Sequence, residues 1–169
     1  NEQHVLSRIL DHLAAGEQLA LVSDAGTPLI RDPGQVVVKA VQDAGYSVLP
    51  IPGVSAVTTA LSVSGLSADR FVFEGFLPSK SGDRIRRLQA LQTEMRSIVF
   101  FESPHRIKAS LTDMITCFGE RRRAMLGREM TKLFETYLHG ALRDLLNQVT
   151  VDANQRKGEF VIVVAGNSE

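Results

Sequence analysis

The sequence predicts an α/β protein in two parts, and three observations carry that prediction. Helical stripes alternate with short apolar runs along the whole chain, the pattern of helices laid on a sheet. Each of the first two apolar runs borders a helical stretch, giving strand, helix, strand, as in a parallel sheet. Pro50, Pro52 and Gly53 then break the pattern, placing a first domain at residues 1–52 and a second at 53–169.

Each element follows from its residues. Val5, Leu6, Ile9, Leu10 and Leu13 form one apolar stripe on a helix that Gly16 ends. Leu19–Val22 reads as a short buried strand. Gly34 leads into Val37, Val41 and Ala44 at helical spacing, Gly45 stops that helix, and Ser47–Ile51 returns as a strand. Past the break, Val54, Val57 and Leu61 mark a helix ended by Gly65. Phe71–Glu74 is a strand, Ile85, Leu88 and Leu91 mark a helix, and Ile98–Phe101 is a strand apolar enough to be buried on both faces. Ser103 reads as an N-cap with Pro104 at the first helical position, and Ile107, Leu111 and Met114 carry that helix to Gly119. Ala124–Gly127 and Phe134–Leu138 are further strands, Leu142–Val149 a helix, and Phe160–Val164 the last strand. Two strands are too few for an independent sheet in the first domain, so the chain reads as a fragment without its N-terminal portion.

Composition excludes several classes. Hydrophobic residues are 44% and charged residues 22%, the balance of a soluble globular protein. The longest apolar runs, such as Phe160–Ala165, fall far short of the roughly 20 residues a membrane span needs. No basic segment followed by an apolar stretch opens the chain, so no secretory signal is expected. Cys117 is the sole cysteine, which excludes an internal disulfide and fits a cytoplasmic location. His4, His12, His105 and His139 show no metal-ligand spacing with it, so no metal is expected. Lys+Arg and Asp+Glu both number 19, which argues against a sequence-blind nucleic-acid binder. Local basic stretches remain, at Lys80, Arg84, Arg86 and Arg87 and at Arg121 to Arg123.

Two stretches carry candidate chemistry. SDAGTPLIRDPG, Ser23 to Gly34, follows a strand and precedes a helix, where open α/β sheets bind ligands. Gly26 permits close backbone approach, Asp24 offers a carboxylate and Thr27 a hydroxyl. The same residues also suffice to build two tight turns. The stretch is neither a dinucleotide nor a nucleoside-triphosphate loop. PIPGVSAVTTAL places Gly53, Ser55 and Ala56 at a helix entrance, with room and N–H groups for a ligand; Ser55 also serves as a plain helix-start residue. Ser55 is not set in a hydrolase nucleophile elbow.

These two stretches, followed in order by FEGFLPSK, FFESPHRI, REMTKLFET and KGEFVIVV, resemble the ribosomal RNA small-subunit methyltransferase I branch of the tetrapyrrole methylases. The resemblance runs from about residue 1 to residue 166. It implies two α/β domains, a partial parallel one and a mixed-sheet one, with S-adenosyl-L-methionine bound between them. It implies 2′-O-methylation of a cytidine ribose in 16S rRNA of the small ribosomal subunit, by a homodimer. The implied cofactor contacts are Asp24, Ala25, Gly26, Thr27, Ser55, Ala56, Phe101, Glu102, Met130, Thr131, Gly158 and Glu159. Met130 stands where the family's turn usually has glycine. Two family features have no counterpart: the proline- and glycine-rich first loop, and the helical tail beyond the last strand.

Methyl transfer to a hydroxyl is an in-line displacement, so alignment is the main task and a general base assists. The candidate bases are Asp32, Glu102, His105 and Glu129. Glu102 reads first as a residue ordering its own loop, although the resemblance places it at the cleft. Lys80, Arg84, Arg87 and Arg106 are candidate RNA contacts, with Arg84 and Arg87 on one helix face; the alternative is a solvated face. Rival functions are methylation of a tetrapyrrole or other small molecule, and a non-catalytic ribosome-binding or dimerisation domain.

Overall fold

The computed structural model describes the backbone of residues 2–168 and the side chains of residues 5–168. The side chain of His4 and residue Glu169 lie outside these. The chain divides into two compact units, Asn1–Ser55 and Ala56–Glu169.

The first unit holds helices α1 (Glu2–Ala14) and α2 (Gln35–Asp43). Each ends just before a glycine in the left-handed region, Gly16 at φ 84° and Gly45 at φ 84°, where any other residue would be strained. Gly34 takes φ 131°, a conformation that side chains rarely adopt, so glycine suits that helix start. The two expected strands do not form: Leu19–Val22 and Ser47–Ile51 carry no ladder among the described residues. The apolar pattern is there, but a strand exists only through a partner's hydrogen bonds, and a two-stranded ladder is marginal. Their apolar side chains stay open, Val22 at 81% and Ile51 at 89% exposure.

The second unit is built on a five-stranded mixed sheet. Its elements are α3 (Ala56–Val63), β1 (Phe71–Phe76), α4 (Ser81–Ala90), β2 (Ser97–Glu102), α5 (Ile107–Phe118), β3 (Arg123–Arg128), β4 (Thr136–Ala141), α6 (Leu142–Val151) and β5 (Phe160–Val164). A single 3₁₀ turn, Ala153–Arg156, precedes β5. The strand order is β1-β2-β5-β3-β4; β1 and β2 are parallel, and the other pairs are antiparallel. Central β2 and β5 are buried on both faces, as their unbroken apolar runs require.

Period-two alternation sorts the side chains into two cores. Ile98, Phe100, Leu126, Phe160 and Ile162 face helices α4, α5 and α6, meeting Leu88, Leu111, Met114 and Leu145. Val99, Met125, Val161 and Val163 face α3, meeting Val57, Ala60 and Leu61. Each fully buried aliphatic chain contributes about 1.5–3 kcal/mol.

Two boundaries differ from expectation. Helix α5 begins at Ile107 rather than after Ser103, because residues 104–106 form a turn in which the Ser103 carbonyl accepts from the Arg106 and Ile107 N–H groups. Strand β4 begins at Thr136 rather than Phe134, since the preceding loop holds its own hydrogen bonds and leaves Leu133 and Phe134 exposed. Asp144 closes the start of α6 by accepting from the Ala141 N–H at 3.2 Å.

Candidate functional site

The sheet of the second unit carries one set of candidates to a single end. Glu102 pairs with Phe160 and Phe160 with Arg128, which in turn faces Thr136. The carboxyl ends of β2 and β3 therefore coincide with the amino end of β5. Phe101–Glu102, Glu129–Thr131 and Gly158–Glu159 reach that end from three separate stretches of sequence. Phe101 packs edge-on against Phe73 and Phe76 of β1, with ring centroids 5.0 and 5.7 Å apart.

Glu102 is 2% exposed, and both of its carboxylate oxygens are engaged. Oε1 accepts from the Ser103 N–H at 2.7 Å and pairs with Arg106 at 2.9 Å, while Oε2 accepts from the Ser110 hydroxyl at 2.6 Å. A carboxylate held by three donors and buried from solvent orders its loop. His105 lies exposed in the turn that follows.

The loop from Glu129 to Glu135 is tied down at both ends. Glu129 and Thr131 have positive φ, 48° and 65°, in a region side chains rarely adopt. Interlocking bonds hold this conformation. The Glu129 N–H donates to the Glu159 carbonyl at 2.9 Å, and the Glu159 N–H donates back to Glu129 Oε1 at 2.8 Å. Lys132 Nζ bridges both carboxylates, at 3.3 Å to Glu129 and 2.8 Å to Glu159. The Glu159 N–H and the nearby ammonium hold the Glu129 carboxyl below its ordinary value. The Thr131 N–H donates to Glu135 Oε2 at 2.6 Å and, with the Tyr137 hydroxyl, lowers Glu135. Met130 is buried against Gly127, where an added Cβ would collide with its sulfur.

The basic stretch is placed differently from the expectation. Arg84 is 3% exposed and pairs with Asp113 at 2.7 Å, while its Nη1 donates to the Pro78 and Ser79 carbonyls at 3.3 and 3.1 Å. It therefore offers no open face to a phosphate: a buried carboxylate and two carbonyls hold it inside. Arg87 binds Glu74 of β1 through two parallel bonds of 2.8 and 2.7 Å. Arg106 is fastened to Glu102 and to the Leu77 carbonyl. Lys80 is exposed; its carbonyl accepts from the Arg84 N–H at 3.0 Å, and its ammonium has no hydrogen bond or ion pair among the described residues.

The other candidates belong to the first unit, apart from Ala56, the first residue of the second. Ser23 Oγ donates to the Gly26 carbonyl at 2.9 Å, and Gly26 takes φ 71°. Leu29 and Arg31 also adopt positive φ, 71° and 61°, so the loop holds three left-handed residues in six positions. Thr27 Oγ1 donates to the Val54 carbonyl at 3.0 Å, joining this loop to the segment that ends in Ser55. Asp24 and Ala25 are exposed, Asp32 is half-buried, and Ala56 opens α3.

Sequence reasoning missed Ser110, Asp113, Lys132, Glu135 and Tyr137. Glu135 and Lys132 lay within a singled-out stretch, at spacings that could have flagged them. Ser110 and Asp113 had no local signal, because their partners are 8 and 29 residues away.

The chain belongs to the tetrapyrrole (corrin/porphyrin) methylase family, whose model matches residues 1–146. The fold agrees with solved structures. A cobalt precorrin-4 methyltransferase of cobalamin biosynthesis gives TM-score 0.69 at 16% identity, covering 96% of this chain and 70% of that one. A Thermus thermophilus uroporphyrin-III C-methyltransferase complexed with S-adenosyl homocysteine gives 0.58 at 17%, covering 95% and 72%. Within the family, the chain is similar to ribosomal RNA small subunit methyltransferase I. The Xylella fastidiosa (Temecula1) protein is 54% identical over 169 residues, 100% of this chain and 62% of that protein. The Pseudomonas aeruginosa protein is 50% identical over 166 residues, 98% of this chain and 59% of that protein. The chain thus spans about three fifths of the relatives it matches.

Proposed function

We propose that this chain is the larger part of an S-adenosyl-L-methionine-dependent enzyme that methylates a cytidine 2′-hydroxyl in small-subunit (16S) ribosomal RNA. One observation carries the reading: 54% identity along the full chain to a protein named ribosomal RNA small subunit methyltransferase I. The uroporphyrin-III C-methyltransferase likeness, solved with S-adenosyl homocysteine, supports the cofactor class.

The donor set fits such a cofactor, which carries an ammonium, a carboxylate, an adenosine and a sulfonium. Asp24 presents an exposed carboxylate with no partner among the described residues, beside the open backbone of Gly26. In this reading Asp24, Ala25, Gly26 and Thr27, together with Ser55 and Ala56, hold its polar groups. Phe101, Glu102, Met130, Thr131 and Glu159 hold it from the sheet end. Bound, the cofactor supplies a methyl group already activated for displacement. The chain's residues align the hydroxyl with it and exclude water. Asp32, His105 and Glu129 remain candidate bases; Glu102 acts as an organiser. The protein works in the cytoplasm as a homodimer in this reading, which light scattering of the full-length protein checks.

Mass spectrometry of small-subunit rRNA nucleosides from cells lacking the gene tests the function. Loss of one 2′-O-methylcytidine, restored by the full-length gene, is the expected result. An unchanged nucleoside profile overturns the reading.

A further inference from the structure

The loop that follows β1 is fixed by two arginines through three consecutive carbonyls. Arg106 Nη1 donates to the Leu77 carbonyl at 3.2 Å, and Arg84 Nη1 donates to those of Pro78 and Ser79 at 3.3 and 3.1 Å. Each guanidinium is held from behind by a buried carboxylate, Glu102 for Arg106 and Asp113 for Arg84. Arg106 differs from Arg84 in where it stands. It lies at the site end of the sheet, its Nε reaches Ser103 Oγ at 3.2 Å, and Glu102 is the last residue of β2. One planar fork thereby ties the β1–α4 loop to the β2–α5 turn, and lysine's single point charge cannot span those three partners.

The residue that emerges from this fixed loop is Lys80, which directly precedes α4. Arg84, Arg86, Arg87 and Arg106 all have carboxylate partners, Asp113, Asp83, Glu74 and Glu102. The Lys80 ammonium has none among the described residues, so its charge is available to an outside anion. Three fastened carbonyls restrict the backbone that carries it, which lowers the ordering cost of a contact made there.

We infer that Arg106 is a positioning residue: it fixes the Leu77–Ser79 loop so that Lys80 is presented to a phosphate of the RNA substrate. The inference rests on the RNA reading above and assigns the phosphate contact to Lys80 rather than to Arg84. Arg106 itself does not touch the RNA; it acts through the loop.

A double-mutant cycle in the full-length protein tests this, with purified small ribosomal subunits and S-adenosyl-L-methionine. Lys80→Ala is expected to raise KM for subunits and reduce the salt slope of binding by about one unit. Arg106→Lys, which keeps the charge but loses the fork, should do the same, with S-adenosyl homocysteine affinity and kcat unchanged. Adding Lys80→Ala to Arg106→Lys should then change little. Additive effects of the two substitutions overturn the inference, as does an Arg106→Lys protein with wild-type KM and slope. Parallel losses in kcat, cofactor affinity and Tm also overturn it, because they mark Arg106 as a purely structural residue. If the wild-type protein neither binds nor methylates small subunits, the RNA reading itself fails, and that is seen before any variant is compared.

Discussion

Arg84 and Asp113 form a buried ion pair, with Nε and Nη2 of the arginine both 2.7 Å from Oδ2 of the aspartate. Ser81 Oγ donates to the same oxygen at 3.1 Å. The pair pins α4 to α5 beneath the loop that leaves β1, so the arginine that looks like a surface cation in the sequence is part of the core.

Removing one member strands the other. Asp113→Ala should destabilise the protein by about 3–5 kcal/mol, because a buried guanidinium loses its counter-charge. Replacing both, Arg84→Met with Asp113→Leu, should cost less than either Asp113→Ala or Arg84→Met alone, because no charge is then left unpaired. Urea unfolding of the three variants measures this. Equal losses for the single and double variants would contradict the account.

Gly166 allows the chain beyond β5 to pass against the β2 side of the sheet. An added Cβ would run into the Met95 carbonyl, and the next residue, Asn167, donates its N–H to the Glu94 carbonyl at 2.6 Å. The obstacle is backbone, which cannot rotate aside as a flexible side chain does. Gly166→Ala is therefore expected to cost about 1–3 kcal/mol, an overpacking penalty, read as a lower Tm. A wild-type Tm would show that the segment has room to move.

Tyr137 titrates late. Burial, and then the hydrogen bond to Glu135, push its hydroxyl up to about 12 from an ordinary value of 10.0. A folded-state value above the unfolded one makes the neutral phenol stabilising below about pH 10, and that stability is lost as pH rises towards 12. The difference in alkaline absorbance between wild type and Tyr137→Phe should show its step well above pH 10. A step at 10 would mean that the bond to Glu135 is absent in solution.

Glu102 should organise the site rather than take the substrate's proton. Glu102→Gln replaces an acceptor by an amide that faces the donors Ser110, Arg106 and the Ser103 N–H. The expected outcome is a loss of about 1–3 kcal/mol in stability, from a buried polar group left mismatched. The acid limb of the methylation pH–rate profile should stay where it is. A displaced limb would identify Glu102 as the base after all.

The second unit was legible in the sequence because its signals are local. Unbroken apolar runs at Ile98–Phe101 and Phe160–Val164 mark strands buried on both faces, and stripes at Ile107, Leu111 and Met114 mark a helix face. The ordered motifs likewise carried the family without any coordinates. What failed were features that depend on a partner. Leu19–Val22 and Ser47–Ile51 have strand composition, but a ladder is a property of two strands' backbones and not of one run of side chains. Arg84 and Arg87 read as a basic face because helical spacing gives their direction but not what faces them. Only the tertiary structure sets Asp113 of α5 against Arg84 and Glu74 of β1 against Arg87, across separations of 29 and 13 residues. The sequence by itself determined which segments are apolar, where they bend and which family they belong to, since these follow from side-chain type and near-neighbour sterics. Which charges remain open to a substrate was decided by packing, because an ion pair needs both partners at one place and no local pattern encodes that distance.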